Sequence, residues 1–91
     1  MNRINISWEN KFNSFVSSML SRLLVGKVRY GEPSHAKYFM TRLYKEFRAY
    51  KNTGNKEHLL NIANYACMEF YWPENYLSHF DPTVDSVTRD K

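Results

Sequence analysis

The stretch WENKFNSFVSSMLSRLL, residues 8–24, decides the fold class. Its apolar residues recur at intervals of three and four, the spacing that places side chains on one face of an α-helix. Ser7 precedes the pattern as a candidate N-cap, and Gly26 follows it as a candidate end. The sequence therefore predicts a first helix over about residues 7–25. The apolar positions are Trp8, Phe12, Phe15, Val16, Met19, Leu20, Leu23 and Leu24.

Two later stretches repeat the helical spacing. Apolar residues within 36–50 predict a second helix over about residues 35–51, with Ser34 as its cap. Those within 59–70 predict a third helix over about residues 55–71. The chain is therefore expected to be helical over most of its length.

Turn-forming residues separate these helices. Gly31 and Pro33 mark a loop after the first helix, because proline disfavours a helical conformation in the residue before it. Residues 52–55, Asn-Thr-Gly-Asn, form the clearest turn, since Gly54 accommodates a left-handed backbone and either Asn55 or Thr53 can cap the next helix. Pro73 blocks continuation of the third helix, and residues 73–91 are expected to form a tail.

Chain length and helix spacing together predict the architecture. A chain of 91 residues makes a single domain, 1–91. We predict an all-α fold, a three-helix antiparallel bundle in up-down-up order with an extended C-terminal tail, because short connections favour antiparallel neighbours. A core of this size is marginal alone, and aromatic residues make up 16% of the chain. The wide apolar faces therefore predict a homo-oligomer that completes the bundle.

Composition bears on the compartment. The single cysteine, Cys67, cannot form an internal disulfide and lies in an apolar run, which predicts a buried, inert thiol in a reducing compartment. No stretch approaches the roughly 18 apolar residues of a membrane span, and the first residues lack the apolar core of a signal peptide. We expect a cytoplasmic protein with no membrane partner, in the host cytoplasm if the protein is viral.

The third helix carries an unusual polar stripe. Glu57, Asn61, Asn64 and Met68 follow one another at intervals of four, three and four, which places them on one side of the helix. Asparagine is a poor helix former and usually occupies a helix for a hydrogen-bonding reason. The stripe is either an ordinary solvated face or part of a ligand site.

The chain resembles a known group of proteins over about half its length. The segments Arg29-Tyr30-Gly31, Tyr44–Tyr50 and Thr53–Asn64 carry the resemblance, the last with the pattern His-Leu-x-x-x-Ala-Asn. They resemble small phage proteins that are similar to the helical domain of dATP/dGTP pyrophosphohydrolases. Those proteins belong to the MazG-like all-α NTP pyrophosphatase group.

The resemblance implies a metal site and a nucleotide. In that group, Glu and Asp residues on two helices hold Mg²⁺ against a nucleoside triphosphate. Carried over, Glu46 is the carboxylate of the first of these helices, while Asn61 and Asn64 stand where the group has Glu and Asp. Glu57 could restore one charge. Amide oxygens bring no charge, so the implied set has half the carboxylates of the pattern. A metal-dependent pyrophosphohydrolase and a catalytically degenerate nucleotide-binding protein both remain open.

Basic and aromatic residues supply candidate ligand contacts that need no metal. Lysine and arginine could bind phosphates, and tyrosines could stack on a base. The tyrosines have an alternative role in the core or in a dimer interface. The candidate ligand-binding residues are Lys45, Arg48, Lys56, Tyr44, Tyr50, Asn61 and Asn64.

Two other functions remain as alternatives. Residues 72–80 hold the aromatic side chains Trp72, Tyr76 and Phe80, with the imidazole ring of His79, outside the helices, which suggests either docking of a protein partner or a tail that folds back and staples the bundle. Eight of the thirteen basic residues lie between Lys27 and Lys56, a weaker indication of nucleic-acid binding. Composition alone does not choose among these partners.

Overall fold

Three helices and no strand make up the part of the chain that the structure describes. The computed structural model describes residues 2–33 and 36–82. The helices are α1 (Asn2–Tyr30), α2 (Phe39–Thr53) and α3 (Glu57–Tyr71). The predicted all-α fold is therefore confirmed. The expected cap at Ser34 and the last part of the expected tail, residues 83–91, lie outside the described residues.

Helix α1 is longer than the sequence predicted at both ends. It begins before Ser7, passes through Gly26 without a break and ends at Tyr30. One glycine inside a helix costs only about 1 kcal/mol relative to alanine, which the turns on both sides offset. The stop lies at Gly31, whose φ of 97° takes the backbone out of the helix and whose amide donates to the Lys27 carbonyl at 2.9 Å.

Helix α2 begins about four residues later than predicted. Tyr38 precedes it with a left-handed backbone, φ 63° and ψ 43°, and its own side chain forms no cap. The turn into α3 follows the prediction. Gly54 has φ 72° and its amide donates to the Tyr50 carbonyl at 2.7 Å. The residue directly before α3 is Lys56, whose side chain forms no cap bond, and the Asn55 side-chain oxygen accepts instead from the Glu57 amide at 3.0 Å.

Helix α3 lies between the other two and runs opposite to both of them. Contacts advance along α1 from Met19 to Arg22 while they move back along α3 from Asn64 to Asn61. The short turn at Gly54 makes α2 antiparallel to α3 as well. Helices α1 and α2 therefore point the same way, which differs from the expected up-down-up order. This order is possible because eight residues separate the end of α1 from the start of α2, a length sufficient to span α3.

The core is small. Phe39, at the start of α2, is 1% exposed and is the one apolar side chain that is fully buried in the described residues. By contrast, every residue from 7 to 18 in α1 is exposed, including Trp8, Phe12 and Phe15. Cys67 is also exposed, so the predicted burial of its thiol is wrong. Its face of α3 is covered neither by α1 nor by α2.

The segment that follows α3 folds back onto the helices. The Glu74 carboxylate accepts hydrogen bonds from the amides of Tyr38 and Phe39 at 2.8 and 3.2 Å. Phe80 packs edge-on against Phe70, with ring centroids 6.4 Å apart. Residues 73–82 are irregular, as expected of a tail, but they cap the N-terminus of α2. Within the described chain, no helix is long and apolar enough to cross a membrane.

Candidate functional site

A cleft of about 550 Å³ lies where α1, α2, α3 and the connection after α1 meet. Its size is within the range of small-molecule sites. Gly26 and Tyr30 of α1, Pro33 of the connection and Tyr65 of α3 form parts of its wall. The charged and amide side chains in its wall are Arg22, Lys27, Glu32, Arg42, Glu46, Asn61 and Asn64.

Glu46 lies at the centre of a polar network inside this cleft. Its Oε1 atom accepts from Asn61 Nδ2 at 3.0 Å and from His58 Nδ1 at 2.7 Å. The side chains of His58 and Glu46 are each 24% exposed. The network joins α2 to the first half of α3. The carboxylate is therefore already held by two donors.

Arg22 extends the network from α1. Its Nε donates to Asn61 Oδ1 at 3.4 Å, and its Nη2 lies 3.0 Å from Glu57 Oε2. Asn61 thus uses its amide nitrogen towards Glu46 and its oxygen towards Arg22. Glu57 is outside the cleft wall and joins the set only through the guanidinium. A positive charge therefore occupies the space between the two glutamates.

Asn64 has a structural role in this arrangement. It is 7% exposed, the most buried polar side chain in the described residues. Its Nδ2 donates to the Met19 carbonyl of α1 at 3.0 Å. Unpaired buried polar groups are costly, so this bond fixes how α1 sits on α3. Asn61 and Asn64 of the polar stripe consequently face the neighbouring helices, while Glu57 at its start is exposed.

The other predicted ligand-binding residues lie away from the cleft. Arg48 is two residues beyond Glu46, so at about 100° per residue it lies on the opposite side of α2. Tyr44, Lys45 and Arg48 are exposed and do not line the cleft. Tyr50 is half-buried and Lys56 is exposed in the turn before α3; neither lines the cleft.

The four predicted metal ligands are arranged unfavourably for a divalent cation. Glu46 and Asn61 contact each other, but Arg22 stands between them and Glu57. Across residues 2–33 and 36–82, no group of three His, Cys, Asp or Glu side chains lies together in a way that could hold a metal. Mg²⁺ prefers several oxygen ligands and no neighbouring positive charge.

Three cations in the cleft were missed as candidates by sequence reasoning. Arg22 and Lys27 belong to α1, whose residues were predicted only to pack. Arg42 lies one turn before Glu46 on α2. Arg42 donates its Nε to the Lys37 carbonyl at 2.9 Å and has no carboxylate partner among the described residues. Only the four-residue spacing of Arg42 and Glu46 could have indicated that these two share a face.

Comparison with known proteins adds no assignment. No protein-family model matches the chain, and no match is found among curated proteins or solved structures.

Proposed function

We propose that this protein binds a nucleotide in the cleft between its three helices and does not hydrolyse it. The observation that carries the proposal is the convergence of Arg22, Lys27 and Arg42 on one cleft that also presents two tyrosines. The sequence resemblance to nucleotide pyrophosphohydrolases supports the same ligand class. A cytoplasmic location belongs to this proposal, since that is where nucleoside triphosphates are held.

The basic side chains of the cleft bind the phosphates. Arg22 is paired with Glu57 and Lys27 with Glu32, at 3.0 and 3.1 Å. Among the described residues Arg42 has no carboxylate partner and engages only its Nε, with the Lys37 carbonyl, so its terminal nitrogens can form paired hydrogen bonds with phosphate oxygens. Arg42 is therefore the principal phosphate contact, while Arg22 and Lys27 can contribute only by exchanging their glutamate partners for phosphate oxygens.

The two tyrosines of the cleft wall bind the base by stacking. Tyr30 lies at the end of α1 and is exposed, while Tyr65 of α3 is half-buried in the cleft wall. Stacking of a base on an aromatic ring is worth about 1–3 kcal/mol and tolerates any base. Asn61 and Asn64 of the original candidate set support the cleft through hydrogen bonds, and only Asn61 is placed to exchange its partners with a ligand.

Absence of hydrolysis follows from the state of the two glutamates. Metal-assisted attack on a phosphoanhydride needs carboxylates that hold a cation and activate water. Glu46 is bound by Asn61 and His58, and Glu57 is bound by Arg22. Mg²⁺ at this site would have to displace these partners and stand beside a guanidinium. The proposal therefore takes the metal-free form, and Mg²⁺ becomes an arm of the test.

Thermal denaturation with added ligand tests the proposal. We expect dATP, dGTP or inorganic triphosphate in EDTA to raise the melting temperature, because a ligand at 100 times its dissociation constant stabilises by about 2.7 kcal/mol. Arg42→Gln should abolish the rise. Arg48→Gln, which removes the same charge from the opposite side of α2, should leave it unchanged.

Each result bears on one part of the proposal. No rise with any of these ligands, with or without Mg²⁺, contradicts binding. Equal loss in the Arg42 and Arg48 variants contradicts the cleft as the site. Conversion of the nucleotide to monophosphate and pyrophosphate in the Mg²⁺ arm contradicts the absence of catalysis and restores the metal-dependent alternative.

Docking of a protein partner is the second candidate function. Between Tyr71 and Phe80, five large side chains are between 45% and 92% exposed, Tyr76 most of all. Glu74 ties this segment to α2, so truncation would disturb the fold as well as the surface. The substitution Tyr76→Ser separates the two roles better than truncation does. Unchanged stability with loss of a bound partner supports docking, and loss of stability supports a tail that stabilises the bundle.

A further inference from the structure

We propose that the N-terminal half of α1 packs against the same segment of a second copy of this chain, in antiparallel orientation around Phe12. The interface is the stripe formed by Trp8, Phe12, Phe15 and Val16. We refer to these four residues as the α1 stripe. The inference is independent of nucleotide binding, since none of the four lines the cleft.

The α1 stripe continues a face that is already used for packing. Met19, Leu23 and Gly26 are half-buried and lie towards α3. At about 100° per residue, Trp8 and Val16 fall within about 40° of Phe12, in line with those three. Helix α3 covers this face from Met19 onward. The same face is left uncovered towards the N-terminus.

The four side chains of the α1 stripe are unusually exposed for large apolar residues. Trp8 and Phe12 are 70% and 62% exposed, and Phe15 and Val16 about 40%. Serine, asparagine and aromatic residues are mediocre helix formers, and a short unsupported helix is marginal in water. This half of α1 therefore needs a surface to cover it.

Charge favours a second copy as that surface. From Ser7 to Ser21 the only charged residues are Glu9 and Lys11, so the segment has no net charge. A two-fold contact brings identical surfaces together, which a charged segment would oppose and a neutral one allows. A partner chosen by charge complementarity would find nothing on this segment to match.

Steric considerations fix the orientation. Helix α3 occupies the stripe face beyond Met19 in each copy. A parallel pairing would therefore bring the two α3 helices into the same space. An antiparallel pairing around Phe12 places the two α3 helices at opposite ends and sets Trp8 of one copy against the partner's Val16. The two α1 helices cross at an angle, which lets the partner's first turn pass beside α3.

The available area suits a two-fold interface. Aromatic side chains offer about 150–250 Å² each when fully exposed. The stripe and its neighbour Leu20 then supply on the order of 500 Å² of apolar surface per copy. A standard interface buries roughly 800 Å² per partner, of which the apolar core is about two thirds. The stripe is therefore of the right size for the core of such an interface.

Light scattering after gel filtration tests the interface in the full chain. We expect the wild type to have twice the 10.9 kDa chain mass. Val16→Lys should be monomeric, because a lysine at the interface weakens association by about 100-fold or more. Val28→Lys makes the same change on the opposite side of α1, at a valine that is 89% exposed, and should remain dimeric. A monomeric wild type at 0.1 mM, or a dimeric Val16→Lys, overturns the proposal.

Cysteine cross-linking checks orientation without relying on the lysine variant. In a Cys67→Ser background, Phe12→Cys places one thiol at the two-fold axis, where antiparallel helices bring the Cα atoms within disulfide reach. Trp8→Cys places a thiol on the same face; antiparallel pairing keeps the two copies of this position about 12 Å apart along the axis, whereas parallel pairing would bring them together. We expect a cross-linked dimer from the first variant and none from the second. Equal cross-linking of both, or of neither, contradicts the antiparallel pairing.

Discussion

Asn64 shows how one side chain determines the contact between two helices. Its amide nitrogen reaches the Met19 carbonyl, and its side chain is almost completely buried. Leucine at this position could fill the space but could not satisfy the carbonyl. The asparagine therefore fixes the orientation of α1 on α3 as well as filling space between them. This hydrogen bond is the reason for an asparagine inside a helix that the sequence predicted.

Asn64→Asp should destabilise the protein strongly. A carboxylate would face the Met19 carbonyl, so a donor becomes an acceptor and a charge is buried without a partner. We expect a loss of about 2–3 kcal/mol in the free energy of unfolding, measured by urea denaturation at fixed protein concentration. The exposed Asn13→Asp provides the control and should change stability by less than about 0.5 kcal/mol. Similar values for both variants would mean that the Met19 contact contributes nothing.

At the scale of elements, α2 takes its N-terminal cap from outside the helix. Tyr38 cannot cap with its own side chain, and the Glu74 carboxylate accepts the first amides instead. A negative charge at a helix N-terminus also interacts favourably with the positive end of the helix dipole. The segment after α3 is therefore required for the start of α2, although the two are 35 residues apart in sequence.

Glu74→Ala should uncap α2. The amides of Tyr38 and Phe39 would lose their acceptor, and we expect a loss of about 1 kcal/mol in unfolding free energy. Glu32→Ala is the matched control, because it removes an exposed carboxylate that only pairs with Lys27 and should cost less than about 0.5 kcal/mol. Circular dichroism should show lower helix content for the Glu74 variant alone. Equal losses for the two variants would contradict the cap.

At the scale of the whole molecule, apolar surface exceeds what three helices can cover. Only Phe39 is fully buried among the described apolar side chains, while nineteen large hydrophobic residues are at least 40% exposed. A domain of this size buries a smaller fraction of its surface than a larger one, and here the fraction is lower still. Stability should therefore depend on association.

The melting temperature should rise with protein concentration. When folding is coupled to dimer formation, mass action shifts the equilibrium towards the folded pair as the concentration increases. Calorimetry between 5 and 500 µM, roughly a hundredfold range, should show a rise of several degrees for the wild type. Val16→Lys should show a lower melting temperature that does not change with concentration. A constant melting temperature in the wild type would contradict association-dependent stability.

The sequence by itself determined the helices and the turn between α2 and α3. Periodic apolar residues and the Gly54–Asn55 pair act locally, within one or two turns of backbone, so their effect can be predicted without knowledge of the fold. The same local rules misplaced the ends of α1 and the start of α2. Gly26 was too weak a signal to stop a helix that continues on both sides, and the cap of α2 comes from Glu74, far along the chain.

Tertiary structure alone decided which polar residues meet. The predicted Glu46, Asn61 and Asn64 do lie around one cleft, but so do Arg22 and Lys27, which no spacing rule connects with them, and Arg42, which only its four-residue spacing from Glu46 indicated. Tyr44, Lys45 and Arg48 were expected at the site and lie outside it, because α2 turns its Glu46 side towards α3. Direction and pairing of helices depend on long-range packing and on single bonds such as Asn64 to Met19, and those contacts are formed only in the folded chain.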